Sequence, residues 1–418
     1  MLQYYKIATT LVTPLVPLWL KLRSLRGKEE AGRIAERFGK SHYGRPAGTL
    51  LWIHAASVGE ANSILALVYQ LKKRFPTLNI LLTTGTVTSA ALMKKRLPPG
   101  VIHHYAPIDT PEATERFIRH WLPDVVWFVE SELWPNLIDA AKRHYCLMAM
   151  VNARMSERSF YFWQKYINVA REMISAFRLC FAQSEMDASR LRTLGAREVI
   201  TSGNLKYDAP PLPCNESELL ALQHTLAGRH VWLAASTHPG EEVLIAKAHA
   251  ILAKSLPDLL TVIVPRHPGR GGEIARSLAS FGRTALRSKK EAVTPGTAFY
   301  IGDTLGELGL FYRLCEIVFM GGSLVEHGGQ NPLEPAQLAC AILTGPHTKN
   351  FKEMYGEMYA MQAALPVSDE KHLAARAGAL FTDATMRASL QNHAKAFVGK
   401  KSGSSQLIMD IFAPVFSK

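Results

Sequence analysis

From residue 48 onward the chain alternates between short apolar runs rich in β-branched side chains and longer amphipathic stretches, the signature of repeated strand–helix units on a parallel sheet. The runs Leu50–Ala55, Asn79–Thr84, Val101–Tyr105, Val125–Val129, Leu147–Val151, Leu179–Gln183 and Val199–Gly203 predict strands. Glu60–Arg74 and Ser184–Leu194 predict helices between them. The stretch from Asp208 to Asn215 carries Pro210, Pro211 and Pro213, which neither a helix nor a central strand tolerates, so a linker is expected there. The alternation then restarts with Val231–Ala235, Leu260–Pro265, Ala298–Gly302, Glu316–Met320 and Ala341–Thr344. The predicted fold class is α/β, with two Rossmann-like domains facing across a cleft. The expected domains are residues 23–208 and 209–370, followed by C-terminal helices over 371–418.

The first residues follow another pattern. Ile7 to Leu20 is almost wholly apolar, broken by threonines, Pro14 and Pro17, and holds no Asp or Glu. Lys21, Arg23, Arg26, Lys28, Arg33, Arg37 and Lys40 follow, against Glu29, Glu30 and Glu36. An apolar run with a basic flank predicts a membrane anchor helix over residues 1–22, either spanning the bilayer or lying in one leaflet. The rest of the chain is then expected on the cytoplasmic face, with the basic stretch on an anionic phospholipid surface. No small-residue cleavage pattern follows Leu20, which disfavours a cleaved signal peptide.

Composition narrows the classes. Hydrophobic residues make up 48% of the 418 and charged ones 20%, a globular balance. The formal charge of +13 predicts an anionic partner without naming it. Cys146, Cys180, Cys214, Cys315 and Cys340 form no CxxC pair, and the adjacent His103 and His104 lack metal-site spacing, so neither a disulfide framework nor a metal is expected. Dinucleotide, P-loop and nucleophile-elbow motifs are absent, which argues against oxidoreductases, NTPases and α/β-hydrolases. The chain also lacks helix-turn-helix, zinc-finger and RNP-like signatures, so no nucleic-acid partner is expected.

In doubly wound sheets ligands gather where strands end, so unusual residues at strand ends are the candidates. The first predicted strand runs into His54-Ala-Ala-Ser-Val-Gly-Glu60, where Ser57 and Gly59 suit a turn and Glu60 opens a helix. Glu60 there is either a general base for a sugar hydroxyl or a first-turn acid favoured by the helix dipole. The fourth strand ends in Glu130 and Glu132, which bind an acceptor, orient Glu60 or cap the next helix. In the second half, Ser236 and Thr237 follow one strand, and Arg266, His267 and Arg270 follow the next, in loops suited to anions. Gly321, Gly322 and Ser323 predict backbone amides close to a phosphate. Asn331 and Glu334 come just after, where an acid can hold ribose hydroxyls.

These loops resemble the Kdo transferases of lipopolysaccharide synthesis, which attach 3-deoxy-D-manno-octulosonic acid to the lipid A precursor. The resemblance rests on ERFG at Glu36–Gly39, HAASVGE at His54–Glu60, ESELWPN at Glu130–Asn136, GNLKYD at Gly203–Asp208, PRHPGR at Pro265–Arg270, HGGQNPLEPA at His327–Ala336 and GPHTKNF at Gly345–Phe351, all in one order. It implies a GT-B fold, CMP-Kdo as donor, an acylated glucosamine disaccharide phosphate as acceptor, inversion at the anomeric centre and no essential metal or other cofactor. It also implies Glu60 as base, Glu130 and Glu132 on the acceptor side, Lys206, Arg266 and His267 on the donor phosphate, and Asn331 and Glu334 on the nucleotide. The implied site of action is the cytoplasmic face of a bacterial inner membrane. The rivals are a GT-B sugar-nucleotide epimerase or hydrolase and an inactive lipid-binding scaffold.

Overall fold

The computed structural model describes residues 2–417. Two compact units divide the chain: one runs up to Ala209 and takes back the stretch from Lys401 on, and the other is Pro210–Lys400. Each is built on a seven-stranded sheet in which every recorded pairing is parallel. This is a GT-B-like two-domain architecture.

The first sheet comprises β1 (Leu50–His54), β2 (Asn79–Thr84), β3 (Val101–Tyr105), β4 (Val125–Val129), β5 (Leu147–Ala153), β6 (Leu179–Ala182) and β7 (Val199–Thr201), in the order β3-β2-β1-β4-β5-β6-β7. Its strands read as continuous apolar runs because both faces are covered. In β1, Leu51 and Ile53 pack with Ile64, Val68 and Leu71 of the helix Val58–Arg74. Leu50 and Trp52 point the other way, onto Phe117, Ile118 and Trp121. The C-terminal helix Ser404–Phe416 completes the first of these layers, with Phe412 edge-on to Trp127 at 5.1 Å.

The second sheet comprises β8 (Val231–Thr237), β9 (Leu260–Pro265), β10 (Arg283–Leu286), β11 (Thr297–Ile301), β12 (Ile317–Met320), β13 (Ala341–Thr344) and β14 (Leu365–Pro366), in the order β10-β11-β9-β8-β12-β13-β14. The strand order reverses between β1 and β4 in the first sheet and between β8 and β12 in the second. At such a switch point the helices that follow the two central strands run to opposite faces, leaving a crevice beyond their carboxyl ends.

The membrane-spanning form of the anchor expected over residues 1–22 is not found among the described residues. Pro14 and Pro17 each lack an amide proton, and the apolar stretch breaks into a helix Leu2–Val12, a 3-10 turn Thr13–Leu15 and a helix Val16–Leu25. The longer piece has 11 residues, a rise of about 16 Å where a bilayer core needs about 30 Å. Among the described residues no helix is long and apolar enough to cross a membrane. The first helix is instead pinned to the first unit. Leu2 is buried, Tyr5 donates to Asp109 (3.0 Å), Lys6 pairs with Asp139 (2.7 Å), and the Asn136 amide donates to Thr9 (3.1 Å). Part of the basic flank is also spent internally, since Arg23 and Arg37 both hold Glu29 and Arg33 holds Glu36. The inner-membrane placement that rested on a spanning anchor falls with it, and the phospholipid surface expected for these side chains gains no support.

Candidate functional site

The two switch points gather the polar residues singled out above. In the first unit, Ser57 caps the helix Val58–Arg74 by accepting from the Glu60 amide (3.2 Å), while its hydroxyl donates to Glu60 Oε1 (2.6 Å). The Ala56 amide donates to Glu60 Oε2 (2.8 Å), so the carboxylate folds back over its own helix start in a variant of the capping box. Glu60 is 7% exposed. Gly59 is exposed, and a Cβ there would meet only Ser57 Oγ at 3.8 Å, so packing does not require the glycine and the loop stays open to a ligand.

Glu130 and Glu132 stand beyond β4, beside β1. Burial pushes the Glu130 carboxyl up and the charge of Glu60 adds to the rise, while Arg154 and Lys206 oppose it. Its backbone is in the left-handed region at φ 58°, a conformation that costs a residue with a Cβ. Burial lifts Glu132 to about 7, helped by Glu60 and Glu130 and resisted by the hydrogen bond from the Trp134 indole. Three carboxylates therefore share one crevice, two of them held above their ordinary range.

Lys206 belongs to this first unit, in the 3-10 turn Leu205–Asp208, with its ammonium 5.1 Å from the Tyr207 ring. Asp208 anchors the returning C-terminus by accepting from the Gly403 and Ser405 amides. Two neighbours were not singled out from the sequence. Asn152, at φ 55° in β5, accepts from the Leu205 amide (3.1 Å) and so positions the Lys206 turn; Arg154 lies one residue past the strand, within electrostatic reach of Glu130. A cation directly after an apolar strand was the available signal.

In the second unit the loops after β8, β9, β12 and β13 meet. Ser236 is left-handed at φ 57°, and Thr237 donates to Glu242 (2.9 Å). Gly321 is required by crowding, since a Cβ would lie 2.6 Å from the Ser236 carbonyl oxygen. Ser323 Oγ accepts from the Gly345 amide (2.8 Å), joining the loops after β12 and β13. Arg266 and His267 are exposed, and Asn331 Oδ1 accepts from the Leu333 amide (3.1 Å) beside Glu334. Glu334 is raised by burial and lowered by Asn331 and the charge of Arg266, which places Arg266 near it.

Arg270, read from the sequence as a phosphate donor, is otherwise engaged. It binds Glu242 at 2.7 and 3.3 Å and Glu273 at 3.2 Å. His238 stacks on His327 with centroids 3.6 Å apart, and burial first, then His327, His267, Arg266 and Arg270, depress it to about 4. Burial is the first cause of that depression, and Arg266 and Arg270 beside it supply positive charge that an anion favours. No group of three or more His, Cys, Asp or Glu able to hold a metal occurs among the described residues.

Two doubly wound domains in one chain, with carboxylates at one switch point and exposed cations at the other, define an α/β protein of the GT-B-like class. The UDP-GlcNAc 2-epimerase of Neisseria meningitidis shares this fold, with a TM-score of 0.57 over 88% of this chain and 100% of that one at 14% identity, a likeness of fold alone. The family model for 3-deoxy-D-manno-octulosonic-acid transferase (kdotransferase) matches residues 32–209. The 3-deoxy-D-manno-octulosonic acid transferase of Haemophilus influenzae is 35% identical over 99% of both chains. A probable mitochondrial one of Arabidopsis thaliana is 39% identical over 87% of this chain and 83% of that one. The chain belongs to the 3-deoxy-D-manno-octulosonic acid transferase family and is a glycosyltransferase.

Proposed function

We propose that the chain moves Kdo from CMP-Kdo onto the lipid A precursor, a tetra-acylated glucosamine disaccharide 1,4′-bisphosphate, with inversion at the anomeric carbon. Family membership supports the sugar and the reaction class. The observation that carries the mechanism is Glu60: a carboxylate at the β1/β4 switch point, bonded to its own loop and beside an open glycine. As the acceptor hydroxyl attacks the anomeric carbon, Glu60 takes its proton. The bond to the donor phosphate breaks, and CMP departs with the electron pair. One base and no protein nucleophile give inversion.

Glu130 and Glu132, with Ser57 and Gly59, form the acceptor side of this unit. Their raised affinity for protons suits them to hydrogen-bond sugar hydroxyls. Arg266, His267 and Lys206 meet the phosphate charge that grows as CMP leaves, and Asn331 and Glu334 hold the nucleotide, with Ser236 at the loop edge. Thr237, Gly321, Gly322 and Ser323 shape the loop.

The test is mass spectrometry of the product from purified protein, CMP-Kdo and the tetra-acylated precursor. A Kdo adduct on the lipid with matching CMP release is expected. CMP released at the same rate without the acceptor would favour the hydrolase or epimerase reading instead.

A further inference from the structure

The glycine pair after β12 has the sequence of a phosphate nest, yet the structure supplies the anion from within. Glu241 opens the helix Glu241–Leu252 and is fully buried. Its Oε2 accepts from the Gly322 amide (2.6 Å) and the His238 amide (3.2 Å). Its Oε1 accepts from the Ser323 and Leu324 amides, both at 3.0 Å. Gly322, at φ 66°, makes consecutive amides converge, as in backbone nests that bind anions. Burial pushes the group up toward its neutral form, and the four amide donors oppose that rise.

The knot joins both sides of the β8/β12 switch point. The His238 amide comes from the loop after β8, and the other three come from the loop after β12. Further loops are built on it. The Gly322 carbonyl accepts from the Gly328 and Gly329 amides, and the Ser323 carbonyl accepts from the His347 amide (3.0 Å). The His238 ring meets Gln330 at 2.9 Å and stacks on His327.

We propose that Glu241 is a positioning residue that occupies the place of a phosphate in this nest and holds the donor loops in their binding form before the donor arrives. The amides of Gly322, Ser323 and Leu324 then serve the carboxylate, and the donor phosphate is met by side chains, Arg266 and His267 above all. This rests on the donor-site reading above.

Amide hydrogen exchange across residues 320–326 of the whole wild-type protein, without and with saturating CMP, tests it directly. The three amides are expected to be protected already in the free protein, with CMP adding nothing. Fast exchange that CMP suppresses would show the amides serving the ligand and would overturn the proposal. If CMP does not bind the wild type at all, the donor-site reading fails, while protection in the free protein still reports on Glu241.

Substitution gives a second arm. Glu241→Ala removes the carboxylate and leaves a space that acetate matches. CMP binding is expected to weaken by about tenfold or more and to recover as acetate, but not chloride, is added at constant ionic strength. Glu241→Gln keeps the volume but turns an NH2 toward two amide donors, so CMP binding is expected to fall without rescue. Wild-type affinity in either variant, or an alanine defect that acetate leaves untouched, counts against the proposal.

Discussion

The two switch points treat their carboxylates in opposite ways. Beyond β8, Glu241 and Glu242 are 0% and 2% exposed, and each is answered: Glu241 by four amides, Glu242 by Arg270 and Thr237. Beyond β1 and β4, burial and the charge of Glu60 push Glu130 and Glu132 up, Glu130 adds to the rise of Glu132, and Glu130 sits in a costly backbone conformation. Burial alone therefore does not mark a functional acid. A buried charge matched by donors is the mark of a structural part, whereas acids crowded together at a strand end mark a candidate site.

Removing the proposed base should sharpen that contrast most. Glu60→Gln keeps groups able to bond Ala56 and Ser57, and is expected to cut kcat by about 10²–10⁴-fold with CMP binding intact. Normal turnover in a steady-state assay would end its assignment as base. Next in size is the opposite kind of acid. Glu242→Ala leaves the Arg270 guanidinium, whose side chain is 15% exposed against 3% for Glu242, with the exposed Glu273 as its remaining acid in that cluster, and should cost about 2–3 kcal/mol in urea unfolding of the second unit. A change within error would mean that Glu242 is not structural.

A smaller effect is expected at Glu132. Its folded carboxyl titrates near 7, above its ordinary value, so the folded state holds a proton that the unfolded chain gives up earlier. Stability from this group is therefore fully present at low pH and declines as pH rises from about 4.5 through 7. Glu132→Gln should remove that decline and gain about 1–2 kcal/mol at pH 8 after allowance for partial exposure, read from unfolding midpoints across pH. Parallel pH curves for variant and wild type would refute it. Smallest is Glu130→Gly, which relieves the left-handed residue and one crowded charge. It is expected to gain about 0.5–1 kcal/mol while transfer activity drops. A loss of stability there would mean that Glu130 is a structural acid like Glu242.

Most of the fold was legible because apolar runs flanked by turn residues are local signals. The runs read as strands correspond to β1–β9 and β11–β13 within a residue or two at their ends. β10 and β14 escape that reading for physical reasons. Arg283–Leu286 begins with an exposed arginine and buries only its last two residues, and Leu365–Pro366 is two residues long with a proline. The N-terminal stretch misleads in the other direction. Its apolar character is real, but its prolines and the docking partners Asp109, Asp139 and Asn136 decide what it forms.

At the site, the sequence placed acids and cations at strand ends but could not say which were already occupied. Arg266 and Arg270 differ little in the chain, yet one is exposed and the other is clamped by Glu242 from the helix that follows β8. What the sequence alone determined is the alternating period that makes two α/β units and the order of motifs that marks the family, because both are read over a few neighbouring residues. Only the tertiary structure decided which charges are satisfied. The Glu241 carboxylate and the Gly322 amide lie 81 residues apart, and a bond across that span exists only once the sheet has brought β8 beside β12.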